Sequence, residues 1–203
     1  MRTRRRSWSS EELRRLDAEL GEAARGARVS GRVCDPGCAV RCAICGSTMC
    51  ECACTPECPQ ASAALSVDPE LYPIEPAMTP LVFEMKRLGV FETCWSCEGH
   101  DAPDGRLWKT PSLWFYARSQ AHLRLLAGGL SALAIEGRLS RPWRVFVTHS
   151  EYDNPDTMYA LEPVLEGEAP PSLAALQGDL RQIAAALPRM IREEAARIRP
   201  ASA

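Results

Sequence analysis

The chain has 203 residues, 46% hydrophobic and 25% charged, with a net charge of −2; this is globular composition and excludes wholesale disorder. A near-neutral total leaves no molecule-wide basic field for nonspecific binding of nucleic acid or anionic membranes. The sequence holds no run of about 18 apolar residues to span a bilayer, and polar helix-like sequence follows basic Met1–Trp8 where a signal peptide would need an apolar stretch. A cytoplasmic protein with no membrane partner is therefore expected.

Charge is uneven along the chain. Residues 1–33 hold nine arginines against five acidic residues, whereas residues 151–203 hold five basic against nine acidic. Arg2, Arg4, Arg5, Arg6, Arg14, Arg15, Arg25, Arg28 and Arg32 form the one basic region, so any contact with nucleic acid or an acidic protein is expected through this N-terminus. A solvated basic face is the alternative.

In chain order, Ser9-Ser10-Glu11-Glu12 has the spacing of a capping box and predicts a helix with Leu13, Leu16 and Leu20 on one face. Residues 31–60 carry few large apolar side chains, so they need bound metal to fold. Six prolines between Pro56 and Pro80 predict a semi-extended tether, with residues 61–78 as the linker proper. Thr79-Pro80 reads as an N-cap and first helical residue of a helix ending at Gly89.

Val90–Thr93 then reads as a strand, residues 94–100 as a turn, and residues 111–117 as a second, aromatic strand. Ser119 caps a helix carrying Leu123, Leu126, Leu130 and Leu133, where Gly128-Gly129 invites a break. Strands are expected at 144–148 and 157–161. A C-terminal helix over 171–199 opens at Pro171-Ser172 and should bend at Pro188. The order α-β-β-α-β-β over 79–165 predicts an α+β fold, a small two-layer α/β sandwich, preceded by a helix over 1–30 and a cysteine-rich module over 31–60.

Cysteine usage is the unusual feature. Of 10 cysteines, Cys34, Cys38, Cys42, Cys45, Cys50, Cys52, Cys54 and Cys58 lie within 25 residues. In a reducing compartment such crowding points to metal. Zinc takes four soft ligands tetrahedrally, and Cys42-Ala-Ile-Cys45-Gly has the two-residue spacing that brings two thiolates to one ion across a turn. Eight thiolates satisfy two such ions. Cys50-x-Cys52-x-Cys54 is a less usual spacing and is expected to divide its ligands between two ions, with a thiolate that bridges both as the alternative. An iron–sulfur cluster is the main alternative, since Cys54-x3-Cys58-Pro59 is similar to the end of the bacterial ferredoxin run; disulfides and metal storage also remain open.

The second group is Cys94-x2-Cys97-x2-His100. With His149 at the end of another expected strand, it forms a candidate zinc site, which would bring the total to two or three ions. In an enzyme the same residues serve differently: Cys97 as nucleophile, His100 or His149 as its base, Glu98 or Asp101 orienting the imidazole. Cys94 and Trp95 can instead be packing residues, with Gly99 supplying a positive φ, and His122, beside Leu123, reads as surface or packing.

Gly89-Val-Phe-Glu-Thr93 and Ser96-Cys97-Glu98-Gly99-His100 resemble a set of small bacterial and phage proteins with a strand-Thr-x-x-Ser-Cys-x-Gly-His signature. Ser96-Cys97-x-Gly99 is more distantly similar to the Ser-Cys-Ser-Gly-Arg turn of the wybutosine-synthesising family of tRNA-modifying proteins, with Glu98 and His100 replacing its second serine and its arginine. That second resemblance implies chemistry on RNA. The residues themselves predict a zinc-binding protein of binding or regulatory type.

Overall fold

A computed structural model of the protein describes residues 8–27, 56, 61–148, 156–166 and 171–198, and the backbone of two short strands. The first helix, α1 (Ser10–Gly26), starts as its capping box dictates: Ser9 Oγ accepts from Glu12 N at 3.2 Å and the Glu12 carboxylate accepts from Ser9 N at 2.8 Å. The short strands β1 (Val40–Arg41) and β2 (Thr48–Met49) pair antiparallel.

Residues 61–78 are folded where the prolines suggested a tether. They form the helical turn α2 (Ala61–Ala64) and a loop whose Leu65 and Met78 are buried with Ala61. Ser62 Oγ donates to Ile74 O and Ile74 N to Ser62 O, which closes the loop on itself. Proline fixed φ here without keeping the segment extended, because apolar residues between the prolines had a core to enter.

Met78, not Thr79, holds the N-cap position of helix α3 (Thr79–Leu88), and its side chain makes no capping hydrogen bond. Thr79 is already helical, and its hydroxyl donates back to Glu75 O at 3.1 Å. Gly89, at φ 71°, ends the helix as expected.

Strand β3 runs from Phe91 to Cys97, three residues beyond the turn signal. It extends because β6 (Ser112–Ala117) pairs with it as far as Cys97 opposite Ser112, with one register shift between Thr93 and Trp95. The turn shrinks to Glu98-Gly99, followed by the small hairpin β4 (His100–Asp101) and β5 (Leu107–Lys109).

Helix α4 (Gln120–Ile135) passes through Gly128-Gly129 unbroken. A Cβ on Gly129 would lie 2.8 Å from Met190 Cγ and Sδ, so the glycine provides close helix contact in place of a break. Then come β7 (Trp143–Val147), β8 (Met158–Pro163) and α5 (Leu173–Ile198), which contains Pro188 and starts where Ser172 Oγ accepts from Ala175 N.

The sheet order is β3-β6-β8-β7, antiparallel throughout. Register puts Leu113, Phe115 and Leu161 on one face, in the core, while Trp95, Trp114, Ala160 and Phe146 form one row across the other. Helices α3 and α4 pack on the sheet, and α5 and α1 pack on them. The α+β architecture is as the sequence predicts. A single buried cluster joins α1, residues 61–78, the sheet and α5.

Candidate metal centre

Three side chains from separate stretches of chain meet at the C-terminal end of β3. Glu75 comes from the loop before α3, Cys97 is the last residue of β3, and His100 opens β4. One ligand atom from each lies within 4.8 Å of the others. His100 Nε2 and Glu75 Oε1 are 3.3 Å apart.

Local backbone chemistry fixes this convergence. Glu75 Oε2 accepts from Glu98 N at 2.5 Å, and Glu98 Oε2 accepts in return from Ala77 N at 2.8 Å. These reciprocal bonds clasp the loop before α3 to the turn after β3. Gln177 Nε2 on α5 adds a bond to Glu98 O at 3.3 Å. Gly99 makes the turn at φ 84°, a conformation that penalises a Cβ. A Cβ there would also fall 2.8 Å from Leu173 Cδ1 and Pro111 Cδ. Only glycine lets His100 return beside Cys97.

Cys97 is 4% exposed, whereas the side chains of Glu75 and His100 are 31% and 42% exposed. The group therefore has a buried soft ligand and a solvent-facing side. A tetrahedral zinc with bonds of roughly 2.0–2.3 Å spaces its ligand atoms about 3.3–3.8 Å apart, so these three need draw in by only about 1 Å. Three protein ligands leave one position for water or an added ligand.

Of the residues singled out from sequence, Cys97 and His100 come together and Cys94 does not join them. A two-residue spacing chelates one ion only across a turn. Extended chain rises about 3.3 Å per residue, which separates residues 94 and 97 by roughly 10 Å. Cys94 Sγ instead lies 3.5 Å from Met158 Sδ. Glu98, a candidate for orienting the imidazole, is tied to Ala77, and Glu75 occupies that place.

Cys34, Cys38, Cys42, Cys45, Cys50, Cys52, Cys54, Cys58 and His149 lie outside the described residues. The strand preceding His149, β7, is the edge farthest from β3, and its Val147 pairs with Tyr159, which pairs with Phe115 and thus stands in the row of Thr93. Cys97 lies at the opposite end of the sheet. His122 is a packing residue, 1% exposed, its Nε2 3.0 Å from Glu19 O and its ring edge-on to Phe91.

Glu75 is the member of the group that the sequence did not single out. Its one local signal is a lone carboxylate in the apolar, proline-rich run Tyr72-Pro-Ile-Glu-Pro76. No family model matches this chain, and no curated protein or solved structure matches it either.

Proposed function

We propose that this is a zinc-binding protein of binding or regulatory type, in which Glu75, Cys97 and His100 hold a functional zinc and Cys34–Cys58 hold architectural zinc. The observation that carries the reading is the meeting of a thiol, an imidazole and a carboxylate at one strand end, held by the clasp between Glu75 and Glu98. Closed four-ligand sets serve structure, whereas three ligands with an open position serve binding or Lewis-acid chemistry. This division gives two or three zinc ions per chain. A reducing cytoplasm is the setting that keeps such crowded thiols available to metal. Arg14, Arg15 and Arg25 are exposed on α1 and support contact with nucleic acid or an acidic protein through the N-terminal region.

The 3.3 Å pair of Glu75 and His100 also favours a second reading, a thiol enzyme with Cys97 as nucleophile, His100 as base and Glu75 orienting it. Zinc content separates the two. By mass spectrometry of protein purified without added metal, Cys97→Ser and His100→Ala should each lower zinc by one equivalent and leave the rest bound. An unchanged zinc count in both variants would sink the metal reading and leave the thiol reading standing. A brown protein rich in iron would overturn zinc altogether.

A further inference from the structure

The seven residues of β3 form one edge of the sheet, with β6 as the neighbouring strand. An edge strand turns the N–H and C=O of alternate residues away from its sheet, where another chain can pair with them. Beyond the ladder to β6, no backbone hydrogen bond joins Thr93, Trp95 or Ser96 to another described residue. Beside this edge lies a cleft of about 550 Å³, lined by Thr93–Ser96 on one side and by residues of the segment 65–75 on the other. Of the nine large hydrophobic side chains exposed among the described residues, four, Val67, Leu71, Tyr72 and Trp95, line this cleft. Exposed apolar surface gathered in one place marks an interaction site. Leu71 and Tyr72, at 72% and 73% exposed, make the cleft an open groove, which suits a segment of chain better than an enclosed small molecule.

We propose that the groove docks an extended segment of a partner protein, apolar at alternate positions and basic at its ends, which adds to the sheet as a strand along β3. The proposal does not depend on zinc. Strand addition takes its affinity from main-chain hydrogen bonds and its selectivity from pockets that receive every second side chain. Here the edge of β3 supplies the first and the apolar groove the second. Charge selects the ends of the segment. Residues 65–75 include Asp68, Glu70 and Glu75 with no lysine or arginine, and Glu92, exposed on β3, adds a further negative charge. Lys109, 4.7 Å from the Trp95 ring centroid, is not among the residues that line the groove. This balance repels a nucleic-acid backbone or an anionic lipid surface and attracts a basic segment. The register shift between Thr93 and Trp95 blunts indiscriminate edge pairing, so a partner is held only when its apolar side chains also fill the groove.

The test titrates the full chain with the peptide acetyl-Lys-Val-Thr-Val-Thr-Val-Lys-amide, matched in length to β3, and follows binding by calorimetry. The peptide should bind saturably, and the same peptide with glutamate at both ends should bind several-fold more weakly. Backbone methylation separates strand addition from plain apolar contact. Residues two apart in a strand turn their amides to the same side, so of two versions, one N-methylated at its valines and one at its threonines, one should lose binding and the other keep it. Leu71→Ser shortens an exposed side chain and should weaken the parent peptide about tenfold with Tm unchanged. No saturable binding up to about 1 mM peptide, equal affinity for the two methylated versions or for the two charge versions, or full affinity in Leu71→Ser would overturn the proposal. So would a chain that dimerises alone in sedimentation and becomes monomeric in Leu71→Ser, since a second copy would then fill the groove.

Discussion

At the scale of single residues, the carboxylates do different work according to what surrounds them. Asp179 on α5 is 3% exposed and accepts from Ser140 N and Ser140 Oγ at 2.7 Å and from Trp143 Nε1 at 2.9 Å. It thereby ties the connection after α4 to α5. Asp179→Ala strands three donors, which should cost about 3 kcal/mol and lower Tm by roughly 6–12 °C in a chain of this length, read by thermal melting. Glu75 faces a different balance, since on the proposed zinc reading it would supply one oxygen to the turn and the other to the metal. Glu75→Gln keeps an acceptor for Glu98 N but loses the charge zinc needs. Zinc affinity at this position should fall by more than the roughly 10–100-fold that outer-shell changes cost, with circular dichroism unchanged; a competition titration checks this. The sequence exposed Cys97 and His100 because soft ligands are rare and visible. It hid Glu75, because one of many acidic residues acquires meaning only from its neighbours in space.

At the scale of elements, glycines decide how closely pieces meet. A Cβ on Gly26 would sit 2.1 Å from Leu88 O, a backbone atom that cannot step aside without moving α3. Gly26→Ala should therefore destabilise by about 2 kcal/mol or more despite alanine's better helix propensity, and a lowered denaturant midpoint is the readout. Gly99→Ala combines the positive-φ penalty with contacts below 3 Å to Leu173 and Pro111. It should lower both stability and zinc affinity, since His100 rides on that turn. Helix starts at Ser9, Ser119 and Ser172 were legible because a cap is a local hydrogen bond written within four residues. The end of β3 was not, since pairing with β6 extends a strand through Cys94-Trp-Ser-Cys97 that reads locally as a turn.

At the scale of the whole molecule, one core joins α1, residues 61–78, the sheet and α5, so a metal held by Glu75, Cys97 and His100 would bridge parts that are already packed together. Zinc at 100 times its Kd adds about 2.7 kcal/mol, and chelation should then lower Tm by roughly 5–10 °C with the helical signal of the native state retained. Tryptophan fluorescence should follow the same transition, because Trp95, Trp114 and Trp143 all lie on the sheet. A chelator without effect on Tm would count against metal at this position. By itself, the sequence determined the α+β class, the serine-capped helix starts at Ser9, Ser119 and Ser172, and the likeness of Cys97 and His100 to metal ligands, all of which follow from local periodicity, capping and ligand chemistry. Only the tertiary structure decided that Cys94 stays apart, that Glu75 completes the group, and that residues 61–78 fold onto α3. Those outcomes depend on strand pairing and on contacts between residues more than 20 positions apart, and no local pattern of side chains encodes them.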